Sequence, residues 1–226
     1  MSGFVHLHLH SGYSLLDGAC RINEIAEAAA REGHCAVALT DHGAMYGAVE
    51  FYRACKAAEV KPIIGCEVYV APKSRFDRDP AAKYNHLVLL VENEIGYRNL
   101  CRMVSLSFTE GFYSKPRVDY ELLTEYSEGL IALSGCLGGR VPSMILASDF
   151  DGALREAERL RDIFGKDSFY LELQDHGMPE QKKVNRALLE ISGRSGIPLV
   201  ATNDVHYIRR SDAGAQRVLM AIAMQS

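Results

Sequence analysis

The chain has 226 residues, 48% apolar and 24% charged, a composition that excludes disorder, collagen-like sequence and a coiled coil. Its 25 Lys/Arg against 29 Asp/Glu leave a net charge of −4, which rules out a polycation built to coat nucleic acid. No apolar run reaches the roughly 20 residues that span a bilayer. The start, MSGFVHLHLH, has no signal-peptide pattern, and six cysteines without paired spacing read as reduced thiols. A cytoplasmic protein without membrane contact is expected.

In chain order, apolar runs bounded by Gly, Pro, Asn or charge predict strands over 4–9, 35–39, 62–70, 86–91, 130–134, 169–173 and 198–201. Helical periodicity predicts helices over 23–32, 47–58, 95–108, 149–164 and 179–195, with Gly33, Gly165 and Gly196 as stops. A final apolar helix over 213–224 ends abruptly, as in a chain cut from a longer protein. Strands followed by helices or long crossovers imply a parallel sheet. One β/α barrel over 1–226 fits better than two domains, with room for extra helices in 92–129.

The chemistry-bearing residues collect at strand ends. His6, His8 and His10 alternate with aliphatics along the expected strand, so all three imidazoles share one face and the aliphatics face the helices. His8 and His10, about 6.6 Å apart, can close around one ion or two neighbours, with His6 deeper. LTDHG brings Asp41 and His42, GCEVYV brings Glu67, LSGCLGG brings Cys136, and TNDVHY brings Asp204 and His206. In a β/α barrel these ends meet at one mouth. Unpaired, so many buried carboxylates and imidazoles would cost several kcal/mol each.

Other positions stay open on spacing alone. Asp17 is a rim ligand or an Asp-Gly turn. Asp41 and Asp204 can each be helix caps. His86 begins its strand, the wrong rim of a parallel barrel. Cys136 can be simple packing, and its loop to Gly139 a turn or a phosphate cradle. His34 looks like a helix C-terminal charge complement, and His176 a capping turn before Pro179 or a substrate contact. The stretch 73–117 holds eight Lys/Arg against five Asp/Glu. Arg75, Arg78, Lys83, Arg98 and Arg102 near Phe76, Tyr84 and Tyr97 suit a single strand of nucleic acid, or a solvated surface.

HLHLHSGYSLLDG, LTDHGAMYGAVEFY, KPIIGCEVYV, NHLVLL, GLIALSGC and PLVATNDVHY together resemble the PHP (polymerase and histidinol phosphatase) domain. The resemblance is to the version that opens the alpha subunit of bacterial replicative DNA polymerase III, and it runs through nearly the whole chain. It implies a distorted seven-stranded, TIM-like β/α barrel with up to three divalent metal ions at its mouth and polymerase domains beyond Ser226. The family's ligands fall on His8, His10, Asp17, His42, Glu67, His86, Cys136, Asp204 and His206. None of the nine is replaced by a non-coordinating type, and Cys136 stands where many members carry histidine.

Such a ligand set suits Zn²⁺ first, then Mn²⁺ or Fe²⁺, over Mg²⁺ or Ca²⁺. The implied chemistry is phosphoester hydrolysis by water activated between cations that Glu67 bridges. Glu67, Asp204 and His206 are the expected catalytic groups, and Asp41 orients a ligand from behind. The expected activity is a 3′–5′ exonuclease on the 3′ end of a DNA strand, with the polymerase domains and other replisome subunits as partners. A silent, metal-stabilised scaffold for the polymerase and its proofreading partner, and a small-molecule phosphatase of histidinol-phosphate type, are the alternatives.

Overall fold

The computed structural model describes residues 3–224. A seven-stranded mixed sheet runs in the order β1 (Ala36–Leu39), β2 (Lys61–Val70), β3 (Asn85–Val91), β5 (Leu130–Leu133), β6 (Phe169–Leu173) and β7 (Leu199–Ala201). A two-residue β4 (Arg117–Val118) pairs with the end of β2. The helices are α1 (Ile22–Arg31), α2 (Ala48–Ala57), α3 (Glu94–Thr109), α4 (Tyr120–Glu125), α5 (Arg140–Leu146), α6 (Phe150–Phe164), α7 (Pro179–Ser195) and α8 (Ala213–Met224). Side-chain caps set three of the starts: Asn93, Asp119 and Asp149 accept the backbone N–H groups of Gly96, Leu122 and Gly152.

Six of the seven expected strands form. The other, over 4–9, makes isolated bridges instead of a ladder, His6 to Val37 and Leu9 to Val205. It still carries backbone bonds on both sides. Ala38 and Thr40 donate to the carbonyls of His6 and Leu9 at 2.8 and 2.9 Å, and His10 and Val205 donate to Val205 and His8 at 2.8 and 3.0 Å. The segment therefore lies between β1 and the chain after β7, joining the two ends of the sheet into a distorted barrel.

The all-parallel expectation fails at one strand. β3 runs antiparallel to both neighbours, pairing Tyr69 with His86 on one side and Val88 with Leu133 on the other. The reason is local. A parallel neighbour needs a crossover, and the connection 71–84 contains no helix. It reverses the chain, so the start of β3 lies beside the end of β2.

Most of the core lies between the sheet and its helices, where Leu89, Leu100, Met103, Phe169 and Leu188 are fully buried. A second layer packs α1 and α2 onto β1 through Ile25, Phe51 and Cys55. The barrel interior is filled from below by Ala38, Val88, Leu90 and Leu133. His86 precedes Val88 and Leu90 by the two-residue strand period, so that face changes from apolar floor to imidazole at the mouth.

Candidate metal centre

Eight of the nine ligand positions converge closely above that floor, and the ninth stands at the edge. His8 and His10 are completely buried and Glu67 is 1% exposed. Glu67 occupies the centre. Its Oε1 lies 3.0 Å from His86 Nδ1 and 3.5 Å from His8 Nε2, and its Oε2 lies 2.7 Å from His42 Nδ1 and 3.5 Å from His10 Nε2. Asp204 Oδ1 approaches His8 Nε2 at 3.2 Å and His10 Nε2 at 3.3 Å. Asp17 Oδ2 approaches His42 Nε2 at 2.7 Å and His206 Nε2 at 3.3 Å. Cys136 Sγ is the peripheral one, 3.9 Å from Glu67 Oε1 and 3.8 Å from His86 Nδ1.

Five of these buried atoms have no hydrogen-bond partner: His8 Nε2, His10 Nε2, His42 Nδ1, Glu67 Oε2 and Asp204 Oδ1. They lie close to one another without the alignment of a hydrogen bond, which is costly for a polar interior and suits donors around a shared cation. Three overlapping groups could each hold one ion: His8, His10 and Asp204; His10, His42 and His206; His42, Glu67 and His86. Imidazole, carboxylate and a nearby thiol form a donor set for Zn²⁺, Mn²⁺ or Fe²⁺.

The surroundings assign the imidazole protons. Ser14 has one hydroxyl hydrogen, donated to Asp41 Oδ1 at 2.7 Å, so at 3.1 Å its oxygen accepts from His10 Nδ1. That leaves a lone pair on His10 Nε2 facing inward. His206 Nδ1 donates to the Asp204 carbonyl at 2.9 Å, and its Nε2 lies 3.3 Å from Asp17 Oδ2. Asp41 is thus outside the donor cluster. It accepts Ser11 N–H at 2.7 Å and Ser11 Oγ–H at 2.8 Å as well, so it ties down the 11–14 turn and reaches His10 only through Ser14.

A residue that sequence reasoning missed does the same for His8. Glu172, on β6 and 2% exposed, accepts His8 Nδ1–H at 2.7 Å, Gln174 Nε2–H at 2.9 Å and the Thr202 hydroxyl. The signal was a single Glu among apolar residues in FYLEL, a buried carboxylate without an evident partner in sequence.

Burial disfavours charge on every group here, and the neighbours decide the outcome. His8 is raised above the ordinary imidazole value, because Asp204, Glu172 and Glu67 outweigh burial. His42 is raised to about 9, the neighbouring Asp17 and Glu67 carboxylates outweighing burial. His10 is lowered, with burial dominant. Glu67, Asp17 and Asp204 are held well below the usual carboxylate range against their burial, Glu67 by His8 and His42, Asp17 by His206 and His42, and Asp204 by His8 and His10. Burial, then Glu67 and Asp204, push the Cys136 thiol up.

Other expectations resolve differently. His6 turns away from the mouth, edge-on to Phe4 and His34 at ring separations of 5.0 and 5.3 Å; without a regular strand over 4–9, the single-face alternation breaks down. His34 Nδ1 donates to the Phe4 carbonyl. His176 exchanges hydrogen bonds with Gln181 of α7 and reaches the Asn203 carbonyl, a capping turn. His86 joins the mouth because β3 is antiparallel. Part of the basic stretch is engaged within the protein. Arg75 pairs with Asp119, Glu110 and Glu121, Arg78 donates to the carbonyls of Arg75 and Glu110, and Arg98 pairs with Glu94.

Among the described residues no helix is long and apolar enough to cross a membrane. Solved structures with the same fold include a putative metal-dependent phosphoesterase from Bifidobacterium adolescentis, at 16% identity and TM-score 0.55 over 90% of this chain and 87% of that one. An amidohydrolase from Chromobacterium violaceum matches at 16% identity and TM-score 0.54, over 95% and 96% of the two chains. The DNA polymerase III alpha subunit of Treponema pallidum is 50% identical over 97% of this chain, and that of Thermus aquaticus 49% over 97%. The chain spans only 19% and 18% of those two relatives. The family model described as the PHP domain matches residues 6–176, and the chain belongs to the PHP domain family.

Proposed function

We propose that residues 1–226 form one metal-dependent phosphoesterase domain of a bacterial replicative DNA polymerase, acting as a 3′–5′ exonuclease on a DNA strand. The observation that carries this reading is the set of five unpartnered, buried donor atoms around one space at the mouth. His8, His10, Asp17, His42, Glu67, His86, Asp204 and His206 would hold the ions, with Cys136 at the edge and Zn²⁺ the first choice. Bound there, divalent cations supply Lewis acidity toward a phosphoryl oxygen and lower the pKa of water to about 7.

The chain's own groups do the positioning. Glu67 directs its two oxygens to different histidines, where it would help hold the ions. Asp204, in the left-handed region at φ +46°, is strained into place between His8 and His10. Glu172 and Ser14, itself held by Asp41, accept the outer Nδ1–H of His8 and His10 and so aim both Nε2 atoms at the space where ions would be held. His206 stands at the rim with Asp17, its Nε2 3.3 Å from that carboxylate, where the pair would join in holding an ion. The remaining polymerase domains in the same chain, other replisome subunits and a cytoplasmic setting follow from the relatives' identity and belong to this proposal.

The test is metal analysis of the purified chain followed by nuclease assay after Zn²⁺ or Mn²⁺ reconstitution, with Asp204→Ala and His8→Ala as controls. The expected result is release of nucleotides from a labelled 3′ end by wild type and loss in both variants. Bound metal with no hydrolysis in wild type, and lower melting in both variants, would overturn it in favour of a scaffold. Hydrolysis of histidinol phosphate but not of the oligonucleotide would overturn the substrate.

A further inference from the structure

Beside the donor cluster, and sharing Asp17, His42 and His86 with it, lies a cleft of about 640 Å³, inside the roughly 300–1,000 Å³ range of ligand sites. Its outer wall is aromatic. Tyr46 is 63% and Phe108 38% exposed, their ring centroids 6.4 Å apart, while Tyr84 lies parallel to His86 nearer the metal centre. Lys115 faces this cleft with its Nζ 5.3 Å over the Tyr69 ring, and Tyr69 in turn stacks on His42.

Lys115 is the one Lys or Arg among the described residues that line the cleft. Arg75 and Arg98 have carboxylate partners and Arg117 is buried on backbone carbonyls, whereas Lys115 forms no ion pair among the described residues. The turn that presents it is strained. Ser114 sits at φ +61°, and the bridge between Tyr113 and Lys115 closes around it. A bulky Leu16 is likewise held at φ +61° on the opposite rim, 48% exposed.

We propose that this cleft is a subsite for single-stranded DNA, in which Lys115 pairs with a backbone phosphate and Tyr46 and Phe108 stack on bases upstream of the scissile bond. The inference rests on reading the mouth as a phosphoester-cleaving site, and it makes the substrate a strand instead of a small phosphate ester. A lone cation beside exposed ring faces matches the two chemistries a strand offers, phosphate charge and base π-faces. Met220, Ala223 and Met224 of α8 also line the cleft, offering apolar contact to base faces, while an apolar protein segment would leave the ammonium unmatched.

The test is equilibrium binding of a fluorescent oligothymidylate to the chelated protein, read by anisotropy over a salt series, so that hydrolysis plays no part. Wild type is expected to bind at low salt. Lys115→Ala should weaken binding about tenfold and flatten the log K against log salt slope by about 0.7, the value for one phosphate contact on a single strand. Tyr46→Ala with Phe108→Ala should weaken binding about tenfold or more with the slope unchanged. Lys182→Ala on α7 sets the baseline for removing any one surface charge. No binding by wild type, an unchanged slope in Lys115→Ala, or an equal loss in Lys182→Ala would overturn the subsite. Each of those results could coexist with hydrolysis of p-nitrophenyl phosphate, which would leave the phosphoesterase reading standing.

Discussion

Glu172→Gln probes the support of the metal centre without touching a donor atom. The substitution keeps the size of a side chain that is 2% exposed and removes only its charge. In wild type the carboxylate accepts His8 Nδ1–H at 2.7 Å, fixing the ring so that Nε2 points at Asp204 and Glu67. A charge-assisted hydrogen bond is about twice as strong as a neutral one, and loss of such a supporting contact lowers metal affinity about 10–100-fold. At about 1.4 kcal/mol per decade that is roughly 1.4–2.8 kcal/mol at the ion next to His8. Competition titration with a colorimetric zinc chelator measures it directly. One ion, the one held by His8, should shift by that factor while the others move less. Affinity equal to wild type at every site would refute the role given to Glu172 and the tautomer given to His8.

Gly18→Ala tests the loop that carries Asp17, because a Cβ there would meet the Ser11 carbonyl oxygen at 2.1 Å. The backbone must shift, and a loss of about 2–3 kcal/mol in denaturant unfolding is expected, with weaker metal binding. In chelated protein, His42 is raised to about 9, so its contribution to stability is full below the unfolded value near 6.5 and fades as pH rises through about 9. Asp17 and Glu67 are lowered, so theirs is present above about pH 4 and lost in acid. Chelated protein should therefore be most stable in mildly acidic solution and weaken toward pH 9, as denaturant midpoints over a pH series would show. Restoring zinc at a hundred times its dissociation constant should add about 2.7 kcal/mol per site, read as a rise in melting temperature.

The parts of the fold written in local pattern were legible. Short β-branched runs gave six strands, and α7 begins at the predicted Pro179 and ends at Ser195 before Gly196. What the pattern did not carry was strand direction. A β-strand reads alike in either sense, and only the helix-free connection 71–84 marks β3 as antiparallel. That single reversal also explains His86, which spacing assigned to the wrong rim. The N-terminal strand was overread, since HxHxH promises a regular pleat and the segment bonds to two different neighbours at isolated points. His8 and His10 reach the mouth regardless, and His6 does not. Glu172 was hidden because its partner is 164 positions away. The cationic stretch stayed open for a similar reason, as composition cannot tell an arginine paired with a distant aspartate, such as Arg75 with Asp119, from a cation without one. Asp41 lies behind His10 and reaches it through Ser14, a route that only the geometry displays.

The central claim is that the unpartnered donors at the mouth exist to surround shared cations. Diffraction from crystals grown with Zn²⁺ or Mn²⁺, collected at the absorption edge of the added metal, tests it most directly. The account predicts anomalous peaks within roughly 2.0–2.3 Å of His8 Nε2, His10 Nε2 and the Glu67 and Asp204 oxygens. A mouth without peaks, or with metal only on surface histidines, would contradict it.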